Sequence, residues 1–522
     1  MYDVVIIGCG ITGAAAAWEL SKYNVVEQDG KGTVITRPIR TAVLDKENDV
    51  SCGASKANSA VIHAGYDPPP GTLMARLNVE GNRLAAELCE KLDVPHRKCG
   101  SMVLAFSPDD KNHLLQLYNR GIQNGVSDIE ILDGEQVLKR EPRLNREISA
   151  ALFAPAAMII SPWEYVLALI ETACRNGTEL FLDSEVLSIG ERARGTAETG
   201  GAAGSGPRWI VKTAGAVYET AWLINAAGVH SDKIHNMAAP ETFTIYPYRG
   251  EYYLLDKSEG GMVNHVIFQC PTAAGKGVLI APTVHGNLIT GPNGEACADG
   301  EDTATTGEGL LAVRRAAVKS VPSLNFGENI RNFSGIRAAS NTDDFIVKEA
   351  EGAPGFIDLA GIKSPGLSAA PAIAALLPGM LGTGGAVGYG TPGARPRNDL
   401  LHLEAKEKFI DTRSRVRFAG LSTADKSALI KTNPAYGRVM CRCETVTEGE
   451  ILDALAAPIP PHTIDAVKRR CNPGMGRCQG GFCAPRILEL LASFYHVDPE
   501  TILQDSAGSY ILSGETGESH GA

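Results

Sequence analysis

The feature that most constrains this chain is a glycine pattern at its N-terminus. Residues 2–7 (YDVVII) form a short apolar run typical of a buried parallel strand, and Gly8-Cys9-Gly10-Ile11-Thr12-Gly13 follows at once. A helix-forming stretch, AAAAWELSKY, comes next. In G-x-G-x-x-G the glycines permit a tight turn, close approach of a pyrophosphate, and close packing of helix on strand. The pattern predicts a βαβ unit with a dinucleotide at the helix N-terminus; the alternative is a glycine-rich turn without a nucleotide.

The same motif requires an acidic residue at the end of the second strand, where it holds the ribose hydroxyls. The apolar stretch 41–44 is followed by Asp45 and Lys46. Asp45 lies 32 residues beyond Gly13, whereas the usual spacing is about 20. We attribute the excess to the polar stretch 27–40, which we predict to be an inserted loop or hairpin.

Composition excludes several classes of protein. The chain has 522 residues, a net charge of −11 and no basic block, which argues against a nucleic-acid partner. Its N-terminus lacks the features of a signal peptide, and no apolar run reaches the roughly 18 residues of a spanning helix. We therefore expect a cytoplasmic protein with reduced thiols. Its 12 cysteines are then free, catalytic or metal-bound, and five of them lie between 441 and 483.

Periodicity predicts helices at 73–92, 109–124, 161–176, 306–319 and 366–377, with short strands dominating between 178 and 360. This mixture predicts an α/β (α+β mixed) fold, in which a nucleotide-binding half is interleaved with a largely antiparallel sheet. Low-complexity stretches at 190–207 and 379–397 are predicted to be exposed loops.

FAD and NAD share the glycine fingerprint, and the rest of the chain favours FAD. No second G-x-G-x-x-G follows a strand, so we expect no separate nicotinamide domain. Segments 55–65, 223–228 and 360–368 are suited to surround a flavin. The last of them runs from a strand through a tight turn to a helix N-terminus, whose positive end would stabilise an anionic reduced flavin.

At these segments the chain resembles a known family. Residues 1–375 are similar to the D-amino-acid-oxidase-type (DAO) flavoproteins, particularly to their glycerol-3-phosphate dehydrogenase and oxidase branch, on the strength of SKANSAVIHAGYD and GIKSPGLSAAPAIA. The resemblance implies a Rossmann-like FAD-binding part at about 1–90, 150–235 and 330–375, with an antiparallel substrate sheet interleaved. The cofactor-binding residues expected from the motifs and the resemblance are Gly8, Gly10, Ile11, Thr12, Gly13, Asp45, Lys46, Ser55, Asn58, Ser59, Ala227, Gly228, Gly335, Gly361, Ser364, Gly366, Leu367 and Ser368.

Oxidation of an alcohol by hydride transfer to a flavin requires a base for the hydroxyl proton and cations for an anionic substrate. His63 is the candidate base, because imidazole titrates near neutral pH; the alternative is a histidine that only hydrogen-bonds the flavin or the backbone. By the family resemblance, Arg337 lies near the substrate, where its guanidinium would grip phosphate or carboxylate. Arg249 and Lys276 are weaker candidates that are as plausible as surface charges, and Tyr252 is a candidate for the pocket wall.

The cysteine-rich segment predicts a metal site. Cys441-x-Cys443 and, after 34 intervening residues, Cys478-x4-Cys483 supply two close pairs of thiolates, which suit either zinc or an iron–sulfur cluster. The spacing resembles the bacterioferritin-associated-ferredoxin-like (BFD-like) domain, which implies a [2Fe–2S] cluster on these four residues within 437–500. Residues 376–436 would then be a connecting segment and 501–522 a tail.

Together these features predict an FAD-dependent dehydrogenase that oxidises sn-glycerol 3-phosphate to dihydroxyacetone phosphate. Electrons would leave through the [2Fe–2S] cluster to a partner electron-transfer subunit and a quinone, so that any membrane association would come through that partner. Two alternatives stay open. One is a dehydrogenase of 2-hydroxyacids, such as 2-hydroxyglutarate, or of amino acids. The other is a non-catalytic electron-transfer subunit.

Overall fold

The computed structural model describes residues 1–28, 32–192, 208–271, 277–383 and 400–514. The chain divides into two compact units, Met1–Arg413 and Ser414–Ala522. The first unit thus includes residues 376–413, which the sequence assigned to a connecting segment.

Thirteen α-helices lie in the described part of the chain. They are α1 Ile11–Leu20, α2 Leu73–Lys91, α3 Pro108–Gln123, α4 Gly134–Arg140, α5 Pro162–Arg175, α6 Ser231–Asn236, α7 Gly307–Ser320, α8 Gly366–Ala374, α9 Leu377–Leu381, α10 Thr423–Thr432, α11 Glu448–Leu455, α12 Ile464–Cys471 and α13 Ala484–Tyr495. All five helices predicted from periodicity are present, and the stretch 366–377 divides into α8 and α9.

The strands of the first unit within the described residues run from β1 to β24. They are β1 Tyr2–Ile7, β2 Tyr23–Gln28, β3 Val34–Pro38, β4 Thr41–Leu44, β5 Val61–Ile62, β6 His96–Lys98, β7 Ser101–Ala105, β8 Glu130–Asp133, β9 Ala150–Ala154, β10 Met158–Ile160, β11 Glu179–Phe181, β12 Ser188–Glu191, β13 Trp209–Lys212, β14 Val217–Asn225, β15 Ile245–Leu255, β16 Val266–Gln269, β17 Leu279–Pro282, β18 Leu288–Gly291, β19 Glu295–Ala296, β20 Asn329–Ser340, β21 Ile346–Glu349, β22 Phe356–Ala360, β23 Gly382–Thr383 and β24 Leu401–Ala405.

The first large sheet has a parallel centre, in the order β11-β4-β1-β14-β22. Strands β12, β13 and β21 extend it by antiparallel pairing. Strands β4 and β22 are buried along their whole length and β1 from Asp3 onward, which explains why the sequence shows apolar runs there instead of alternation. Helices α1, α5 and α8 pack against one another beside it, with α2 against α8.

The second large sheet has the order β19-β15-β18-β17-β16-β7-β9-β8, with β20 paired to β15. Its pairs are antiparallel except for β16 with β7. Strand β20 therefore belongs to this sheet, although the predicted FAD-binding part begins at 330. The predicted mixed α/β fold, with two interleaved sheets, is confirmed.

The inserted stretch 27–40 is a hairpin. Strands β2 and β3 pair antiparallel, and β2 also pairs with β24 from the far end of the unit. Arg37 anchors the hairpin through hydrogen bonds to Asp3, at 2.6 and 2.8 Å, and to Glu27. The segment after β24 is held by a buried ion pair between Arg413 and Glu171, at 2.7 Å.

The second unit is a small helical unit with a two-stranded antiparallel pair. It contains α10 to α13 and strands β25 Val439–Cys441 and β26 Val446–Thr447. Its core is apolar and includes two of the predicted ligands, Cys441 and Cys483, both buried. None of the helices in the described part of the chain has both the length and the hydropathy needed to cross a bilayer.

Candidate active site and cysteine centre

Several of the predicted cofactor residues lie at one edge of the parallel sheet. The strands β1, β4, β14 and β22 run in the same direction, so that their carboxyl ends lie side by side. Gly8, Asp45, Ala226 and Gly361 each follow one of these ends directly. Ligands of open α/β sheets bind outside the carboxyl ends of their strands, so this edge is the expected dinucleotide site.

The glycine turn at this edge leaves no room for side chains. Gly8 has φ of +99°, and a Cβ there would lie 2.4 Å from the carbonyl oxygen of Ala226. A Cβ on Gly13 would lie 1.9 Å from the carbonyl oxygen of Gly8. Helix α1 starts after Gly10 without a side-chain cap, and the Ile11 N–H donates to the Ser55 hydroxyl at 2.9 Å. Such a turn, with uncapped N–H groups at a helix start, fits a pyrophosphate.

Asp45 lies at the end of β4 beside this turn. Its carboxylate accepts hydrogen bonds from the N–H groups of Cys9, at 2.6 Å, and Glu47, at 3.0 Å. Burial raises the pKa of Asp45 to about 6, although these two hydrogen bonds oppose the rise. A carboxylate held in this way is placed to accept hydrogen bonds from ribose hydroxyls.

Lys46 is linked through Glu301 to the loop that follows β14, at the same edge of the sheet. Its ammonium lies 2.6 Å from Glu301, which is also 2.6 Å from the imidazole of His230, after β14. A Cβ on Gly300 would lie 2.9 Å from Val229, so the segment around 300 packs closely on the loop after β14, where Ala227 and Gly228 lie. Glu301 was not among the residues predicted from the sequence, since a lone glutamate in a loop carries no signal.

The loop 55–60 contacts both the start of helix α1, through Ser55, and strand β20 of the second large sheet, through Ala57. The Asn58 side chain donates to the carbonyls of Ala54 and Ser55 and accepts from the N–H of Ala60, so it shapes the loop itself. A Cβ on Gly335 would lie 1.9 Å from the carbonyl oxygen of Ala57. The loop therefore lies directly on β20, and only glycine at 335 permits that approach.

His63 ends this loop, just after β5, and its backbone is held from two helices. Its N–H donates to the Ser368 hydroxyl on α8 at 2.8 Å, and its carbonyl accepts from Asn78 at 2.8 Å and Asn82 at 3.2 Å, both on α2. The imidazole Nε2 lies 3.5 Å from the Ser364 hydroxyl. The two asparagines were missed by sequence reasoning, because asparagine in a helix gives no functional signal.

Helix α8 begins beside His63. Gly361 (φ +63°) starts the turn that leads into it, and a Cβ on Gly366 would lie 2.6 Å from Ile362. Leu367 and Ser368 lie in the first turn of α8, and the Ser368 side chain is fully buried. The helix end that the sequence assigned to the flavin is thus the one that holds His63.

Arg337 and Tyr252 lie on neighbouring strands of the second sheet. Tyr252 stands opposite Phe333, with their rings stacked at 4.8 Å, and Arg337 stands opposite Tyr248. A Cβ on Gly250 would lie 2.8 Å from Nη2 of Arg337, so the guanidinium extends across the strand at that glycine. Burial raises the pKa of Tyr252, whereas the charge of Arg337 and hydrogen bonds with Arg337 and Ser59 oppose the rise. The loop leading to His63 thus reaches the strand pair that carries Arg337.

Arg249 has a different environment. Successive residues of a strand point to opposite faces, so Arg249 on β15 faces away from Tyr252. Its guanidinium lies 2.6 Å from Asp302, 3.4 Å from Glu295 and 3.5 Å from Glu251. These three carboxylates compensate its charge. Lys276 lies outside the described residues.

These features fit FAD, and comparison with known proteins agrees. The family model "FAD dependent oxidoreductase" (DAO) matches residues 3–378. The chain belongs to the DAO family. A "Glycerol 3-phosphate dehydrogenase" from Caloramator mitchellensis is 44% identical over 517 residues, 99% of each chain.

Two solved structures are similar to this DAO-family chain. An FAD-bound L-alpha-glycerophosphate oxidase from Mycoplasma pneumoniae is 32% identical, with a TM-score of 0.63 over 72% of this chain and 92% of that one. A glycerol-3-phosphate dehydrogenase from Bacillus halodurans covers 95% of this chain and 91% of its own, with a TM-score of 0.63; at 14% identity it shows the fold alone. The predicted family, its FAD cofactor and the oxidoreductase class are confirmed.

The four predicted cysteine ligands meet in the second unit as two pairs. The sulfurs of Cys443 and Cys478 are 3.6 Å apart, and the Cys483 thiol donates to Cys441. That hydrogen bond lowers the pKa of Cys441 to about 6, with help from backbone N–H groups, while burial opposes the fall. Cys471, which the sequence analysis left out, instead donates to the carbonyl of Val467 at 3.5 Å.

The turns around the sulfurs present backbone N–H groups to them. Those of Gly474 and Glu444 donate to Cys441, and those of Gly480 and Phe482 donate to Cys478. Such donors stabilise a negatively charged cluster. In the described ranges, no three His, Cys, Asp or Glu side chains group as they would around a single metal ion. Two separate pairs suit a [2Fe–2S] cluster, which takes four thiolates, and the model "BFD-like [2Fe-2S] binding domain" matches residues 439–493.

Proposed function

We propose that this protein oxidises sn-glycerol 3-phosphate to dihydroxyacetone phosphate. The observation that carries the proposal is that a single loop contacts the strand of a candidate cation, Arg337, and leads to a candidate base, His63. Residues 55–60 lie on β20 beside Arg337 and lead to His63, whose backbone is held by α2 and α8. The near full-length similarity to a glycerol 3-phosphate dehydrogenase supports the same substrate.

The roles follow from the chemistry of an alcohol carrying a phosphate. Arg337 binds the phosphate, since a planar guanidinium donates two parallel hydrogen bonds to an oxyanion. His63 accepts the proton of the hydroxyl group at Nε2, which faces Ser364. Tyr252 holds Arg337 in place from within the apolar cluster that also contains Val61. When bound, FAD supplies the two-electron acceptor for the hydride.

The second part of the proposal concerns where the electrons go. The BFD-like domain carries its four thiolates in the same chain, which supports a path from substrate through a [2Fe–2S] cluster to a one-electron partner and then a quinone.

The test is anaerobic reduction of the holoprotein by sn-glycerol 3-phosphate. We expect rapid loss of the visible flavin band, followed by the EPR signal of a reduced cluster. Added 2-hydroxyglutarate and glycine serve as carboxylate controls and should leave the band unchanged. A flavin that dithionite reduces but sn-glycerol 3-phosphate does not would reject this substrate. Bleaching by a carboxylate substrate instead would favour the 2-hydroxyacid or amino-acid alternative.

A further inference from the structure

Phe482 is the most exposed large apolar side chain in the described part of the chain, with 82% of its surface accessible. It lies in the turn Gly480-Gly481-Phe482-Cys483, directly before a cysteine ligand. Water contact at an aromatic ring of this size is unfavourable, and exposed apolar groups beside a functional centre frequently mark a contact with another molecule. A single exposed residue is not sufficient, so a second observation is needed.

The second observation is the excess of positive charge in the segments that carry the cysteine ligands. The segments that carry the four ligands, 437–444 and 472–486, contain four arginines and one acidic residue, Glu444, in a chain whose net charge is −11. Arg438 pairs with Glu448. Arg442 lies between two ligands, is exposed, and has no hydrogen bond or ion pair among the described residues. Arg477, also exposed, directly precedes Cys478.

These residues are held close together by the ligands themselves. Cys443 is exposed, and its sulfur lies 3.6 Å from that of Cys478, so the turns bearing Arg442 and Arg477 meet there. The same segments also border a groove of about 560 Å³, whose lining residues include Met440, Leu490 and both arginines and glutamates. The outer side of the cysteine centre therefore combines an aromatic ring, two exposed arginines, of which Arg442 has no partner among the described residues, and an accessible ligand sulfur.

We infer that this surface, the cluster face (Arg442, Cys443, Arg477 and Phe482), docks an acidic one-electron carrier protein. The inference rests on the proposed electron path and adds its exit point. Arginines and a buried aromatic anchor are the residue types that dominate binding energy at interfaces, and opposite charge speeds encounter. One electron passes from the reduced cluster to the carrier at the exposed Cys443 edge; the cluster is oxidised, the carrier is reduced, and no bond forms or breaks.

The test uses the holoprotein reduced with dithionite, so that it does not depend on the substrate. Stopped-flow absorbance, with freeze-quench EPR for the cluster signal, follows reoxidation by ferricyanide, an anion, and by hexaammineruthenium(III), a cation. In the double variant Arg442→Glu/Arg477→Glu we expect reoxidation by ferricyanide to slow about tenfold and reoxidation by the cation to speed up. Lys431→Glu, an exposed charge reversal elsewhere in the second unit, should change neither rate.

Docking itself is measured by calorimetry with an acidic plant-type ferredoxin at low salt, a readout independent of activity. Phe482→Ser should weaken this binding about tenfold, and added salt should weaken it in the parent protein. Tyr510→Ser, which also removes an exposed aromatic, is the matched control. The four cysteines are unchanged in every variant, so iron and sulfide content should equal that of the parent.

Three results would overturn the inference. In the first, the double variant and Phe482→Ser both behave like the parent protein in reoxidation and binding. In the second, the variants slow reduction of the cluster by the flavin and leave the exit rate unchanged, which would assign the cluster face to electron entry. In the third, sedimentation shows that Phe482→Ser abolishes a dimer, which would assign the face to a second copy. Because the protein is reduced with dithionite, these measurements can be interpreted even if sn-glycerol 3-phosphate is rejected as the substrate.

Discussion

The side-chain amide of Asn78 lies 2.8 Å from the carbonyl oxygen of His63, and Asn78 is fully buried. Its own amide oxygen has no hydrogen-bond partner among the described residues. A buried polar atom without a hydrogen-bond partner destabilises the folded protein. We therefore attribute the presence of Asn78 to the hydrogen bond that its side-chain N–H donates to His63. The contact fixes the backbone of the candidate base from α2, while Ser368 fixes it from α8.

We expect Asn78→Ala to lower kcat about tenfold with little change in KM. The substitution removes one of the bonds that orient His63, and small misplacements of a reacting group slow catalysis strongly. Steady-state kinetics with sn-glycerol 3-phosphate provide the measurement. Asn145→Ala removes a similar side-chain bond to a carbonyl at a distant, exposed site and should leave kcat unchanged. Equal kcat in Asn78→Ala and the parent would show that Asn78 does not position His63.

Gly13→Ala should abolish FAD binding. The added Cβ would lie 1.9 Å from the carbonyl oxygen of Gly8, so the turn must open and helix α1 must move. Flavin content of the purified variant, read from its visible spectrum, gives the result. The control is Gly53→Ala, where a Cβ would meet nothing within 4 Å. A Gly13→Ala protein with full flavin content would contradict the assigned cradle.

Arg337→Lys should raise KM for sn-glycerol 3-phosphate about tenfold, because an ammonium cannot donate the two parallel bonds of a guanidinium. Arg249→Lys is the paired comparison. Its three carboxylates already compensate its charge, so its KM should stay near the parent value even if its thermal stability falls. A raised KM in Arg249→Lys together with an unchanged KM in Arg337→Lys would assign the anion site to Arg249 instead.

The stability of the first unit should depend on pH through His235. Its Nδ1 lies 2.7 Å from Asp358, and both side chains are buried. Burial lowers the pKa of His235 and Lys348 opposes its charge, but the hydrogen bond and charge of Asp358 raise the pKa overall. The resulting stabilisation is complete below the ordinary histidine pKa of about 6.5. It is lost as pH rises through the raised pKa that His235 has in the folded protein.

The measurement is the Tm of the parent protein and of His235→Gln across pH 6 to 9. We expect the gap between them to be largest at pH 6 and to shrink towards pH 9. His96→Gln, at an exposed histidine, should give a small gap at every pH. A Tm difference between the parent protein and His235→Gln that stays constant with pH would mean that the charge of His235 does not contribute to stability.

Cys443→Ser should remove the [2Fe–2S] cluster, whereas Cys471→Ser should retain it. Cys443 pairs with Cys478, while Cys471 donates to the carbonyl of Val467 within α12. Iron and acid-labile sulfide analysis and the EPR signal after reduction distinguish the variants. Loss of the cluster in Cys471→Ser, with retention in Cys443→Ser, would reverse the ligand assignment.

The sequence alone determined those features that depend on neighbouring residues. The strand 2–7 and the glycines that follow it specify their turn locally, because Gly8 has a positive φ and a Cβ at Gly13 would clash with the carbonyl oxygen of Gly8. Helix periodicity likewise located α2, α3, α5, α7 and α8. The spacing of the four cysteines predicts them as a ligand set, and the structure pairs them across the two segments, Cys443 with Cys478 and Cys441 with Cys483.

Only the tertiary structure decided features that depend on strand register and on contacts between distant segments. The sequence offered both Arg249 and Arg337 as candidates for binding the anion, but the alternation of β15 directs Arg249 towards Glu251, Glu295 and Asp302, whereas Arg337 extends across Gly250. His63 is oriented by side chains 15 and 305 residues away in the chain. No local pattern records such contacts, because they arise from the packing of whole helices and sheets.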